Sequence, residues 1–229
     1  MKNEELFSKK WRLYKPQDKV NLVAMMKERY LQDFLFFAKK YGVKKVLDAG
    51  CGWGAGAIVL EEAGFNVTAI DLFIESICAT KKDGLLKSTI IYKANLEEPL
   101  SFKDREFDAV VCAGVLHHVD DSKTLPELKR VASKMLYIGV YGKRGVFFSL
   151  AEVLLRRFLR FIPFKVNLAL LRAVGYSDRV AAQRLEHIYI KRAVRYSEKD
   201  LIKLIGDDYF CVFNRKGNFI NLIAIKKIG

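Results

Sequence analysis

The sequence has 229 residues, of which 51% are hydrophobic and 29% are charged, a composition that is typical of a folded globular protein and excludes a disordered chain. The 40 Lys and Arg residues outnumber the 26 Asp and Glu residues and give a formal charge of +14, which favours acidic partners or reflects a solvated Lys-rich surface. The four cysteines form no C-x-x-C pair, so we expect neither a metal site nor a disulfide framework.

The N-terminus and the most apolar stretch bear on localisation. The first 15 residues are polar and charged, whereas an export signal needs an apolar core, so we expect a cytoplasmic protein. Residues 146–171 come nearest to a membrane span, but Arg, Lys and Glu residues interrupt them repeatedly. We therefore expect no transmembrane segment.

Apolar runs and helical stretches alternate through the first two thirds of the chain. Residues 17–41 place apolar side chains at helical spacing, which predicts an amphipathic helix that Gly42 ends. The predicted strands are KKVLDAG, NVTAID, TIIYKAN, FDAVVCAG and MLYIGVYG, and the predicted helices are 57–63, 75–82 and 124–133. Because strands that alternate with helices form parallel crossovers, the pattern predicts a parallel sheet buried on both faces.

The C-terminal third follows a different pattern. Residues 146–174 are apolar and basic and predict a long helix broken at Pro163. Ser197 predicts the N-cap of a short helix, with Asp200 as the reciprocal residue of a capping box. Segments 208–213 and 218–225 predict two antiparallel strands, because the link between them is short enough for a hairpin.

Together these elements predict an α/β fold with a doubly wound, mostly parallel seven-stranded sheet, an antiparallel C-terminal hairpin and a helical insertion. We expect a single domain over residues 1–229. An N-terminal helical segment at 1–42 and a basic helical insertion at about 143–195 flank and interrupt the sheet.

The strongest motif is VLDAGCGWG at residues 46–54, in which an apolar strand ends in an acid and glycines recur before a helix. Glycines let the backbone turn sharply and approach a ligand closely, and Asp48 offers a carboxylate to a cationic group. Asp71 follows Gly50 by 21 residues at the end of the second strand, where a carboxylate can accept both hydroxyls of a ribose. The pattern therefore predicts a nucleoside site.

A dinucleotide enzyme is an alternative interpretation of the same loop. Gly50 and Gly52 match the start of G-x-G-x-x-G, and Ala55 is a tolerated replacement of the third glycine. A carboxylate at the strand tip suits a cationic ligand better than a pyrophosphate at a helix N-terminus, so Asp48 argues against that alternative.

Through about residues 43–141 the chain resembles the class I S-adenosylmethionine (SAM)-dependent methyltransferases. VLDAGCGWG is similar to the first motif of the family, VTAID to the second, IIYKANLEEPLSF to the third, EFDAVVCAGVLHHVDD to the fourth, and LKRVASKMLYIGVYG to the helix and strand that follow. The resemblance implies a Rossmann-like methyltransferase fold, SAM as the cofactor and S-adenosylhomocysteine (SAH) as the product.

The resemblance also implies a set of cofactor-binding residues. They are Asp48, Gly50, Cys51, Gly52, Gly54, Asp71, Leu72, Asn95, Leu96 and Ala113. In two places the sequence departs from the family. Ser133-Lys134 stands where a Pro-Gly-Gly turn is frequent, and Asn95 stands where an Asp often contacts the adenine amino group, so that its amide oxygen must be the acceptor.

His117 and His118 close the fourth predicted strand, at the edge where the active site is expected. A neutral imidazole there can remove a proton from an attacking hydroxyl or amine, so either residue is a candidate general base. In the alternative interpretation, one histidine packs and the other contacts the cofactor or solvent.

The methyl acceptor is left open by the sequence. Residues 143–203 hold 14 Lys and Arg against 5 Asp and Glu, and we expect them to form an acceptor-side cap. The polar side chains Ser149, Glu152, Arg156 and Arg160 form one stripe on an otherwise apolar helix, which either packs or lies at a membrane interface.

Three acceptor classes follow from these features. A small or lipid-like molecule suits an apolar cap, and we favour it because no recognisable RNA-binding module is present. A tRNA or another RNA suits the basic segment, with Tyr176, Tyr189 and Tyr196 as stacking aromatics. A non-catalytic SAM-binding subunit that activates a partner is the third possibility.

Overall fold

The structure is a computed structural model that describes residues 3–143, 154–190 and 193–227. The chain forms two compact units. The sheet unit comprises Leu22–Lys143 and Val194–Gly229, and the helical unit comprises Met1–Asn21 and Arg144–Ala193. The single-domain organisation and the cap stay predictions.

Seven strands and five α-helices build the described part of the sheet unit, together with a π-helix, a 3₁₀ turn and the end of α2. The elements are α2 (Pro16–Met25), which begins in the helical unit, the π-helix Met26–Tyr30, α3 (Gln32–Lys40), β1 (Lys45–Ala49), α4 (Ala55–Glu62), β2 (Asn66–Asp71), α5 (Glu75–Lys82), β3 (Ile90–Lys93), β4 (Phe107–Ala113), the 3₁₀ turn Leu116–His118, α6 (Asp121–Val131), β5 (Ala132–Tyr141), α9 (Glu198–Ile205), β6 (Tyr209–Lys216) and β7 (Phe219–Lys226).

The strand order is β3-β2-β1-β4-β5-β7-β6. β1 to β5 pair in parallel, and β7 lies antiparallel between β5 and β6. This arrangement confirms the predicted doubly wound sheet with an antiparallel C-terminal hairpin. The central strands β1 and β4 are almost wholly buried, as expected of parallel strands that helices cover on both faces.

The N-terminal part of the sheet unit differs from the single helix predicted over 17–41. The Leu31 N–H bonds the Met26 carbonyl at 2.7 Å, a spacing of five residues that defines the π-helix before α3 begins. Leu31 is fully buried, and the Tyr30 carbonyl accepts a bond from the Tyr137 hydroxyl at 3.1 Å. These tertiary contacts account for the interruption.

Helix α6 is also shifted relative to the predicted 124–133. The Asp120 side chain accepts a hydrogen bond from the Ser122 N–H at 3.1 Å and starts the helix earlier. Ser133 lies in β5, not in the helix. The predicted capping box at Ser197 and Asp200 is present in full, with Asp200 Oδ2 accepting from the Ser197 N–H at 2.6 Å.

The helical unit contains α1 (Asn3–Arg12), a helical segment at 154–159, α7 (Phe164–Ala173) and α8 (Asp178–Tyr189). The predicted break at Pro163 is present, because this residue is the N-cap of α7. Ser149 and Glu152 lie outside the described residues. Among the described helices, each is too short or too polar to cross a bilayer.

Candidate cofactor and active site

The glycine loop after β1 is closely packed. Gly50, Gly52 and Gly54 have φ values of 79°, 57° and 98°, which lie in the left-handed region that side chains with a Cβ rarely adopt. A Cβ at Gly50 would lie 2.5 Å from Val115 Cγ2. The Gly50 N–H bonds the Ile70 carbonyl of β2 at 2.8 Å, so the loop is held against the second strand.

Asp48 is a buried carboxyl group beneath this loop. Its side chain is 3% exposed, and Oδ2 has no hydrogen-bond partner among the residues that the structure describes. A Cβ at Gly56, in the first turn of α4, would lie 2.9 Å from Oδ2, so a glycine leaves room for the carboxyl group. Burial and the nearby Asp71 raise the pKa of Asp48 to about 7, while the Ala57 N–H opposes that rise.

Asp71 ends β2 and joins that strand to the glycine loop. Oδ2 accepts a hydrogen bond from the Gly52 N–H at 2.8 Å, and Oδ1 accepts one from the Phe73 N–H at 2.9 Å. Burial raises the pKa of Asp71, although these N–H groups oppose the rise. Because a carboxylate oxygen has two lone pairs, each oxygen can still accept a hydroxyl donor.

Asn95 follows β3 in a local turn. Its Oδ1 accepts a hydrogen bond from the Glu97 N–H at 3.1 Å, and its Nδ2 donates to Glu98 Oε1 at 2.8 Å. The amide oxygen keeps one lone pair, so the acceptor role predicted from the sequence is compatible with the turn.

The remaining predicted cofactor residues lie in the same region of the sheet. Leu96 and Cys51 are buried, Leu72 is exposed, and Ala113 is the last residue of β4. β1 pairs in parallel with both β2 and β4. The carboxyl ends of these strands therefore share one edge, where open α/β sheets bind ligands.

His117 and His118 form the 3₁₀ turn that follows β4. The two rings are 4.0 Å apart between centroids, and the His117 ring is 4.5 Å from the ring of Tyr141, at the end of β5. His117 is fully buried, whereas His118 is partly exposed. The structure thus places both predicted histidines at the edge that carries the glycine loop.

Sequence reasoning missed two residues beside this pair. Tyr141 contacts His117, and the Arg195 guanidinium lies 5.8 Å from the centroid of the Tyr141 ring. The position of Tyr141 at the end of the fifth predicted strand could have indicated that it lies near the site. Nothing in the sequence links Arg195, more than 50 residues later, to that strand end.

The three tyrosines predicted to stack on RNA have partners within the protein. Tyr196 is buried and donates a hydrogen bond to Asp121 Oδ2 at 2.7 Å, so the expectation that this ring is exposed for stacking on RNA was wrong. The Arg184 guanidinium lies 4.4 Å from the Tyr176 ring, and Tyr189 is hydrogen-bonded to Asn167.

Comparisons with known proteins match the part of the chain that contains the glycine loop, Asp71 and the two histidines. The sequence model of the methyltransferase domain family matches residues 47–135. An uncharacterised protein of Methanocaldococcus jannaschii is 31% identical over 139 residues, which are 57% of this chain and 56% of that protein. A ubiquinone biosynthesis O-methyltransferase of Rickettsia bellii is 34% identical over 99 residues, which are 41% of this chain and 40% of that enzyme. The chain thus spans about half the length of these relatives, or less.

A solved structure extends the likeness to the whole fold. The magnesium protoporphyrin IX methyltransferase from Synechocystis PCC 6803, solved with bound SAH, has a TM-score of 0.59 and 18% sequence identity. The match covers 96% of this chain and 94% of that enzyme. At this identity the likeness shows a common fold. The motif series and the matched domain at residues 47–135 identify a class I SAM-dependent methyltransferase domain in this chain, and the cofactor of that domain is S-adenosylmethionine.

Proposed function

We propose that the protein transfers the methyl group of SAM to a small-molecule acceptor. The observation that carries the proposal is the buried Asp48 carboxyl group beside the glycine loop, with one oxygen that lacks a hydrogen-bond partner among the described residues. A buried carboxylate is costly unless a charge or donor compensates it. A positively charged ligand in the loop provides that compensation.

Three residues are proposed to hold the cofactor. We assign Asp48 to the positively charged end of SAM, Asp71 to the ribose hydroxyls and Asn95 to the adenine. Asp71 and Asn95 keep acceptor lone pairs beyond their internal hydrogen bonds, which supports these assignments. The positive φ values of the loop glycines let the backbone approach a ligand without a Cβ in the way.

The chemistry needs few side chains. When bound, SAM supplies a methyl group on a positively charged sulfur, and the bond from sulfur to carbon breaks as the acceptor lone pair bonds the carbon. The acceptor then loses a proton, which a neutral imidazole can take at a ring nitrogen. We assign this role to His118, because it is less buried than His117, which packs between two rings.

The small-molecule class draws support from two sources. One relative is named for the biosynthesis of ubiquinone and one enzyme of similar fold for magnesium protoporphyrin IX, and both of these compounds are small molecules. The internal partners of Tyr176, Tyr189 and Tyr196 weaken the RNA alternative. A lipid-like acceptor stays within the proposed class.

Two experiments test the proposal. Calorimetric titration with SAH and with NAD should give binding for SAH only, and tight NAD binding without a response to SAH would reject the cofactor assignment. Incubation with SAM labelled in the methyl group and with fractionated extracts should then label small molecules. Labelling confined to RNA would reject the acceptor class and leave the cofactor assignment standing.

A further inference from the structure

Two helical stretches that follow one another in the helical unit expose apolar side chains. Phe158 is 66% exposed, and Phe161 is 83% exposed. Val166 and Leu170 of α7 and its C-cap residue Val174 recur every four residues and are also exposed, so they share one side of that helix. We define the exposed apolar face as Leu154, Leu155, Phe158, Phe161, Val166, Leu170 and Val174.

Two arginines of the first stretch, Arg156 and Arg160, bind backbone carbonyls of the same unit. Arg160 Nε donates to the Ile188 carbonyl at 2.7 Å, and its Nη2 donates to the Ile190 carbonyl. Arg156 Nη2 donates to the same Ile190 carbonyl at 3.1 Å. These carbonyls lie at the C-terminal end of α8, where helical carbonyls lack partners and attract cations. The two described residues of the polar stripe, Arg156 and Arg160, are therefore bound within the unit, and the apolar side chains of this stretch are left outside.

Hydrogen bonds from a buried amide fix the turn between the two stretches. Asn167 Nδ2 donates to the Leu159 carbonyl at 2.9 Å and to the Tyr189 hydroxyl at 2.7 Å. The Tyr189 hydroxyl in turn donates to the Ile162 carbonyl. Because buried polar groups of this kind are costly to separate, the orientation of the exposed apolar face is set by the unit itself.

The surroundings of this face are basic. Residues 154–190 contain seven Lys and Arg against two Asp and Glu. Arg157 and Lys165 are exposed, lie beside the apolar side chains in sequence, and have no ion-pair partner among the described residues. A surface of phenylalanines and aliphatic side chains flanked by cations is complementary to an anionic lipid interface.

Other occupants fit less well. A second copy of the chain would bring two molecules of charge +14 together, which is unfavourable at an interface. An RNA needs stacking rings and hydrogen-bond donors, whereas most of the exposed apolar face is aliphatic.

We propose that the exposed apolar face binds the surface of membranes that contain anionic lipids. Phe158 and Phe161 enter the boundary between headgroups and acyl chains, and Arg157 and Lys165 contact lipid phosphates. The helices lie in the interface and do not cross the bilayer. This proposal is independent of the methyl transfer, because it uses only residues of the helical unit.

The test is sedimentation of the full chain with phosphatidylcholine vesicles that do or do not contain phosphatidylglycerol. Phe158→Ser/Phe161→Ser should lower binding to the anionic vesicles by at least about tenfold, since two aromatic side chains then stay in water. Phe36→Ser is a matched control, because Phe36 is 64% exposed and lies in the sheet unit. It should bind as the wild type does. Arg157→Glu/Lys165→Glu should remove the preference for anionic vesicles.

Three results would overturn the proposal. The first is absence of wild-type binding to the anionic vesicles. The second is equal binding by Phe158→Ser/Phe161→Ser and by the wild type, which would mean that charge alone acts. The third is a wild-type dimer in analytical ultracentrifugation that the same double variant converts to a monomer, which would assign the face to self-association. Unchanged SAH titration by each variant checks that the sheet unit is intact.

Discussion

The Gly52 N–H donates a 2.8 Å hydrogen bond to Asp71 Oδ2, so the side chain that ends β2 fixes the middle of the glycine loop after β1. The same carboxylate is the one that we assign to the ribose hydroxyls. Loop position and ribose recognition therefore depend on one residue, and changes at Asp71 should affect both.

Asp71→Ala should weaken SAH binding by roughly 10- to 100-fold, because charge-assisted hydrogen bonds are worth about 1.5–3 kcal/mol. Asp71→Asn keeps the size of the side chain but loses its charge, so it should fall between the wild type and Asp71→Ala. Calorimetric titration of the three proteins measures the effect. Equal SAH affinity for all three would contradict the assignment of Asp71.

Asp48 should make stability depend on pH. The pKa is raised to about 7 in the folded chain, so between about pH 4 and pH 7 the folded state binds more protons than the unfolded state. The contribution of Asp48 to the free energy of unfolding is present below pH 4 and is lost as the pH rises through 7. Thermal melts across this range should show the decline in the wild type and a smaller one in Asp48→Asn.

Binding of SAM should have the opposite dependence on pH, because its positive charge favours the ionised Asp48. Affinity for SAM should rise between pH 5 and pH 7 and then level off. Calorimetry in buffers of different ionisation enthalpy should detect a proton released on binding near pH 6. Asp48→Asn should show neither effect, and an unchanged pH profile in that variant would assign the titration to another group.

Gly56→Ala should destabilise the protein through Asp48. The added Cβ would lie 2.9 Å from Oδ2, and such overpacking costs about 1–3 kcal/mol, although alanine is the better helix former. The matched background is Asp48→Ala, which removes the oxygen. In the Asp48→Ala background, Gly56→Ala should leave the free energy of unfolding unchanged or raise it, as measured by chemical denaturation. The same loss in both backgrounds would mean that the two positions do not interact.

His118→Ala should lower kcat by about 10²–10⁴-fold and leave SAH affinity nearly unchanged, as expected of a group that acts on the acceptor. His117→Ala should mainly lower the melting temperature, because the buried His117 ring packs against His118 and Tyr141. Once an acceptor is known, steady-state kinetics of both variants shows which of the two histidines acts as the base. Full kcat in both would show that neither histidine is the base.

The sheet could be predicted because its signals are local. Apolar runs, glycines and the acids Asp48 and Asp71 stand at strand ends, and parallel pairing brings those ends to one edge. The interruption of the helix before Leu31 could not be predicted in this way. It depends on a hydrogen bond that the Tyr137 hydroxyl donates to the carbonyl of Tyr30, which lies 107 residues earlier in the chain. The roles of the cofactor residues and histidines stay predictions.

The arginine stripe illustrates a second limit. Helical periodicity predicted that Arg156 and Arg160 share one side, and both donate to the Ile190 carbonyl, but periodicity does not tell which side of a helix faces water. Arg156 and Arg160 bind the carbonyls that end α8, so charge reversal at these two positions would damage the helical unit. Arg157 and Lys165 are therefore better probes of any acidic partner.

The interior position of β7 has a consequence for synthesis of the protein. Tyr141 of β5 pairs with Phe219 of β7, 78 residues later in the chain. At typical translation rates, the edge of β5 leaves the ribosome roughly 4–16 s before its partner strand exists. During that interval its backbone groups are an open template for other strands. We therefore expect the nascent chain to be most prone to aggregation between the emergence of β5 and that of β7.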